Sequence, residues 1–382
     1  MTDLVLTEEQ QLLQSTAADF ARQSLPVSRL RALRDASDAA GFSAELWRKM
    51  AELGWPGILL PEAYGGLGLG YAEAVVVLEE LGKVLAPEPF LSTVLLAGNA
   101  ILLGGSERQK QEILPRVASG DAVLALAHHE PRARHRQHHV ATRAVAGANG
   151  GVRLTGVKDM VLDGAAAERL VVSARSAGGP DDRDGITLFL LDPHARGVTV
   201  ARQQLVDHRA AAVVRLDDVA VAADAQLGAT GKGADVLDAT IDRALVGLCA
   251  DMLGGMVRAF EMTLAYLKER KQFGVTIGSF QALKHRAARM FIEIELGRSA
   301  VMAAARAVDD GSADAAMLAA VAKARLSEGF VLVASEAVQM HGGIGMTDEH
   351  DVGFYLKRAR AAEILLGDAP YHRDRFARLQ AY

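Results

Sequence analysis

Several groups of residues in this sequence have types and spacings that could support chemistry. Gly65-Gly66-Leu67-Gly68-Leu69-Gly70 is glycine-dense, but no strand leads into it and no acidic residue follows at the distance a dinucleotide-binding turn requires. It is not read as a Rossmann turn. Gly231-Lys232-Gly233 resembles the end of a phosphate loop, yet Gln226 and Gly233 occupy the positions of the first glycine and of the magnesium-binding hydroxyl. His128, His129, His135, His138 and His139 place five of the 11 histidines within twelve residues, a density that would suit a metal. The usual ligand spacing is missing and no cysteine is near, so the segment reads as a solvated basic loop with no metal. Cys249, the single cysteine, lies in the apolar run Leu245-Val246-Gly247-Leu248-Cys249 and reads as a small core residue.

The elements that must position any site change character twice along the chain. Thr7-Glu8-Glu9-Gln10 is a capping box that opens a helix with Leu12, Leu13, Thr16, Ala17 and Phe20 on one face. Helical patterns follow over about 43–53, 71–85, 95–103 and 107–117, so residues 1–120 form an N-terminal α domain. After Gly120-Asp121 the runs become short, β-branched and turn-bounded: 152–157, 170–174, 186–191, 198–200 and 213–216. No long helical pattern separates them, which favours an antiparallel sandwich or barrel over a parallel sheet for the middle domain, 121–225. Long amphipathic stretches at about 234–270, 279–311, 313–341 and 351–366, joined by short loops, predict a four-helix bundle over 226–382. The fold class is α+β, in the order α, β, α.

Composition narrows the function classes. The chain has 382 residues, half of them hydrophobic, with 42 basic against 47 acidic side chains. A net charge of −5 provides no electrostatic footprint for nucleic acid or for an anionic membrane. One cysteine precludes an intramolecular disulfide. No signal-like N-terminus or long apolar run is present, so a cytoplasmic protein with no membrane segment is expected.

Four fragments in fixed order resemble the acyl-CoA dehydrogenase family of flavoproteins along essentially the whole chain. They are Leu6-Thr7-Glu8-Glu9-Gln10; Leu60-Pro61-Glu62-Ala63-Tyr64-Gly65-Gly66-Leu67-Gly68 with Glu79-Glu80-Leu81-Gly82; Arg270-Lys271-Gln272-Phe273-Gly274 with Ile277-Gly278-Ser279-Phe280-Gln281; and Gln339-Met340-His341-Gly342-Gly343-Ile344-Gly345. The resemblance implies FAD, held between the β domain and the bundle, with its dinucleotide end reaching a neighbouring subunit. Arg270 and the Gly342-Gly343 pair would meet the pyrophosphate, because a guanidinium supplies charge-assisted bonds and glycine permits close main-chain approach. Gln272, Phe273, Gln281 and Gln339 would pack on or hydrogen-bond the cofactor, and Met160-Val161 would pass the flavin ring. Taken without the resemblance, the same residues read as a helix ion pair, a helix C-cap and polar faces.

The implied reaction is α,β-dehydrogenation of an acyl-CoA thioester, with electron-transfer flavoprotein as the acceptor and a homotetramer, or a heterotetramer with a related subunit, as the working form. A carboxylate must take the α-proton. Most of the family place a Glu before a Gly-Thr pair near the C-terminus. Here the stretch reads Ile364-Leu365-Leu366-Gly367-Asp368-Ala369-Pro370, so Leu366 stands where that Glu would be. A minority place the base before an arginine on the first long C-terminal helix, where this chain has Asp242-Arg243. Asp242 is the first candidate and Asp368 the second, with a charge paired to Arg243 or Lys232 as the plain structural reading of Asp242. A chain that completes a partner's site without a base of its own is the alternative. The loop that usually reads Thr-Glu-Pro followed by Gly-Ser-Asp is His129-Glu130-Pro131-Arg132-Ala133-Arg134 here, and Arg132, Arg134, Arg136 and Arg143 would suit a carboxylated acyl tail. The segment from Gly345 to Ala359 is similar to small subunits described as pimeloyl-CoA dehydrogenases and to subunits of bacterial steroid-side-chain dehydrogenases.

Overall fold

A computed structural model describes residues 5–36, 38, 40–147 and 150–382. The chain begins with helices α1 (Glu8–Ser24), α2 (Val27–Asp35), α3 (Ala44–Glu52) and α4 (Tyr71–Lys83), continues through a π-helical stretch Phe90–Gly98, and reaches α5 (Asn99–Gly104) and α6 (Glu107–Ala118). Strands β1 (Leu124–Ala127), β2 (Arg143–Ala146), β3 (Val152–Leu162), β4 (Arg169–Arg175), β5 (Ile186–Leu191), β6 (Val198–Gln204), β7 (Ala210–Val221) and β8 (Gln226–Leu227) follow. Helix α7 (Gly233–Glu269) leads to a hairpin of β9 (Lys271–Gln272) and β10 (Val275–Thr276) and then to α8 (Gln281–Asp309), α9 (Ala315–His341), α10 (Val352–Ile364) and α11 (Ala369–Leu379).

These elements group into two compact units, each assembled from separate stretches of sequence. One comprises residues 1–32, 70–86 and 245–382; the other comprises 33–69 and 87–244. In the first, α4 is the central helix, buried on nearly every face. It crosses α7 backbone to backbone: a Cβ on Gly254 would lie 1.9 Å from the Glu79 carbonyl oxygen, and one on Gly82 would lie 2.2 Å from that of Asp251. Only glycine fits either position. Gly70 has no side chain to cap α4, and Asp309 from the end of α8 does so instead, accepting the Tyr71 and Ala72 N–H groups at 2.6 and 2.8 Å. The capping box at α1 forms as the sequence predicts, with Thr7 and Gln10 exchanging hydrogen bonds.

The second unit is built on one eight-stranded sheet in the order β6-β7-β3-β2-β4-β5-β8, with β1 on β4. Leu154, Val172, Phe189, Val214 and Val219 form its apolar core. The predicted antiparallel pairing holds for most of the sheet, but β1 runs parallel to β4 and β2 joins β4 through one parallel pair. The strand β2 was not foreseen because it is mostly exposed and shows no apolar alternation. The expected helix at 95–103 is π-helical through Gly98 and α-helical only from Asn99, and α2 and α11 are additional helices. Among the described residues no helix is long and apolar enough to cross a membrane.

Candidate active site

In the second unit the loop after β1 is held from beneath by a polar knot. Glu130 accepts the Ala141 and Thr142 N–H groups, the Thr142 hydroxyl, and Lys158 Nζ at 2.7 Å. Burial would raise the Glu130 carboxyl, but Lys158 and these donors outweigh it and hold it down at about 2. Lys158 also donates to Ser173 Oγ, which lies 2.9 Å from His128 Nδ1. His128 Nε2 faces the Gln137 carbonyl, which can only accept, so Nε2 carries the proton and Nδ1 accepts from Ser173. Burial pushes this imidazole down to about 3, so it is neutral. The expectation of a solvated basic loop holds for Arg132, Arg134 and Arg136, which are exposed, but His128 and His138 are tied into the fold; no group of metal-ligating residues occurs among the described ones.

The same loop is pinned to α7. Asp238 accepts from Gln137 Nε2 at 2.6 Å and from His138 Nε2 at 2.8 Å, with Arg183 on its other oxygen at 2.9 Å. Asp242 lies four residues further along the same helix, hence on the same face. It is half-buried, with Oδ1 shielded from solvent, and sits well past the first turn of α7. Lys232, a suggested partner, pairs with Asp184 instead. Arg243, the next residue of α7, is half-buried. Arg136 is engaged with Asp181 and the Arg132 carbonyl, whereas Arg132, Arg134 and Arg143 are exposed.

Strand β3 breaks register with β7 between Lys158 and Val161, a bulge at the residues expected beside the flavin. Met160 there has φ +52°, and its N–H faces Asp159 Oδ1 and Gln203 Oε1. The Met160 side chain is half-buried, while that of Val161 lies in the sheet core.

In the first unit, Tyr266 stacks on His341 with ring centroids 4.6 Å apart, which draws the C-terminal ends of α7 and α9 together. Arg270 and Gln272 are exposed just beyond α7, and Phe273, at φ +56° in the β9–β10 turn, is 92% exposed. Gln281, Gln339, Gly342 and Gly343 are exposed too. Gly342 caps α9, its N–H donating to the Gln339 carbonyl, and a Cβ on either glycine would meet nothing within 4 Å. The exposed Arg270 guanidinium and the open space over Gly342 and Gly343 leave room for an anionic group.

Asp368 is the N-cap of α11 and accepts the Tyr371 N–H at 2.9 Å. Sequence reasoning did not find Asp238 or Lys323. The first is signalled by its i, i+4 relation to Asp242, and the second by being the sole lysine in an alanine-rich helix.

Residues 7–121 match the acyl-CoA dehydrogenase N-terminal domain, and residues 231–380 match the C-terminal domain of the same enzymes. A probable acyl-CoA dehydrogenase of Bacillus subtilis (strain 168) is 31% identical over 378 residues, spanning 98% of each chain. The structure of the ChsE4–ChsE5 complex from Mycobacterium tuberculosis superposes with a TM-score of 0.89 at 30% identity, covering 100% of this chain and 99% of that one. PigA with FAD and proline gives 0.92 at 25% identity, covering 100% and 99%. The chain belongs to the acyl-CoA dehydrogenase family. It is an FAD-dependent oxidoreductase that acts on acyl-CoA.

Proposed function

We propose that the protein converts a saturated acyl-CoA thioester to the trans-2-enoyl-CoA with Asp242 as the base. The observation that carries this reading is the placement of Asp242: a half-buried carboxylate on the helix face to which Asp238 anchors the substrate-side loop. Asp368 is the weaker candidate, since one of its oxygens already caps α11. Asp242 takes the α-proton while the β-hydrogen departs with its electron pair. Bound flavin supplies the acceptor for that hydride. The burial of Asp242 Oδ1 limits water around the carboxylate.

In this reading electrons pass on to electron-transfer flavoprotein in the cytoplasm, and the chain works as a homotetramer or a heterotetramer. Exposed Phe291, Ile292 and Leu296 on α8, together with Phe273, support burial against another subunit. The ChsE4–ChsE5 neighbour, a complex of two named chains, supports a second reading, as does Leu366 in place of the usual Glu. In it this chain lends Arg270, Gly342 and Gly343 to a partner's cofactor and carries out no proton transfer itself.

Asp242→Asn tests the choice between them. The first reading expects the purified protein to remain yellow and to bind acyl-CoA, with single-turnover flavin reduction slowed by about 10²–10⁴-fold. Undiminished reduction would remove Asp242 from the mechanism. A wild-type chain that acquires flavin only with a co-expressed partner would establish the second reading.

A further inference from the structure

Helix α9 buries Ala319, Ala320, Ala322 and Ala324, and within this run Lys323 is fully enclosed at 0% exposure. An ammonium group removed from water persists only where its donors are matched. Lys323 Nζ donates to the Gly367 carbonyl at 2.7 Å, the Ser327 hydroxyl at 2.9 Å and the Glu363 carbonyl at 3.0 Å. Three donors meet three acceptors. Glu363 is in the last turn of α10, where carbonyls lack intrahelical partners and the helix dipole favours a cation.

The turn so held is strained. Leu366 has φ +56° and Gly367 φ +107°, and a Cβ on Gly367 would lie 2.5 Å from the Tyr371 ring. A left-handed leucine is sterically disfavoured and persists only when its surroundings over-determine it. His372, itself buried, holds the Leu366 carbonyl through Nε2 at 2.9 Å, and Asp368 caps the following helix. The lysine, the histidine and the cap grip the turn from three sides.

We propose that Lys323 is a positioning residue, which fixes the Leu365–Asp368 turn so that the side chain at 366 stands as a rigid apolar wall for the substrate's acyl chain. Placing residue 366 beside the acyl chain rests on the dehydrogenase reading above; the clamp on the turn does not. Lys323→Met keeps the length of the side chain and removes its donors, and Lys323→Gln retains a shorter neutral donor.

The experiment uses the FAD-loaded protein and two readouts: amide hydrogen exchange over residues 363–373, and steady-state kinetics with butyryl-, octanoyl- and palmitoyl-CoA. Exchange in the Met variant is expected to quicken by roughly tenfold or more within that segment, and less in the Gln variant. In both variants flavin content is retained and kcat stays within about threefold on the preferred substrate, while KM rises and the chain-length preference flattens. Unchanged protection of 363–373 would overturn the clamp. Lost protection with an unaltered chain-length profile would overturn the wall. If Lys323→Met does not fold, the Gln variant decides on the same two readouts. If the wild-type protein oxidises none of the three thioesters, a wall fitted to an unbranched acyl chain is overturned, and the exchange measurement still decides the clamp.

Discussion

Two fully buried lysines, one in each compact unit, solve the same problem in different ways. Lys158 faces a carboxylate, Glu130, at 2.7 Å, whereas Lys323 faces two carbonyls and a hydroxyl. Burial lowers both ammonium groups to about 8, in Lys158 against the pull of Glu130. Equal shifts conceal unequal consequences. Removing Lys158 leaves a buried anion, while removing Lys323 leaves neutral acceptors that lose only a donor. The first arrangement suits a fixed foundation under the 128–142 loop, and the second suits fine control of a strained turn.

The largest expected effect follows from the ion pair. Lys158→Met strands Glu130 and should destabilise the protein by about 3–5 kcal/mol in urea unfolding. The double variant Lys158→Met with Glu130→Gln should recover much of that loss, because neither member is then left charged. A double variant as unstable as the single one would show that shape, not charge, makes the knot. Acid tests the same pair. The carboxyl of Glu130 is held at about 2, below its unfolded value, so its contribution is full above about pH 4.5 and is lost as the pH falls toward 2.

A smaller effect is expected at Lys323. Its folded pKa lies below the unfolded one, so the wild type gains stability as the pH rises from about 8 to about 10.4, where the charge is lost in both states. Lys323→Met has no such charge, so its deficit relative to wild type should grow across that window. Lys158 titrates in the same direction in both proteins and cancels. A deficit that shrinks with rising pH would mean that Lys323 is not a strained cation.

These buried groups mark how far the sequence could be read. The α, β, α order and the long C-terminal helices were legible because periodicity runs over many residues: the stretch expected at 234–270 is Gly233–Glu269. Short elements were not, since the four-residue β2 offers too few positions to show a period. For the proposed site, local motifs pointed to Arg270, the Gly342-Gly343 pair and Asp242 as candidates. They did not show that Asp238 ties the histidine-rich loop to α7, because that contact joins residues 100 and 101 positions apart. Nor could spacing show that His128 is neutral or that Lys323 grips a turn more than 40 residues away, since both depend on burial.

The last comparison concerns a carboxylate that has no lysine. Asp163 ends the strand expected to pass the flavin, is buried, and accepts from Ser92 Oγ at 2.5 Å on the π-helical stretch. Burial raises its carboxyl to about 7. Ser92 and the Arg209 guanidinium pull it down, and Glu88 pushes it up. Glu130, in the same unit, goes the opposite way because it has Lys158. A carboxyl raised in the folded state contributes stability that is full below the unfolded value near 4 and is lost as the pH rises from there through about 7. Asp163→Asn is nearly isosteric and cannot ionise, so its advantage over wild type should be greatest at pH 8, smaller at pH 5 where only part of the loss has accrued, and absent below about pH 4. Thermal unfolding of both proteins at the two pH values measures this difference. An advantage for Asn that is greater at pH 5 than at pH 8 would place a cation closer to Asp163 than Arg209 and remove the contrast with Glu130.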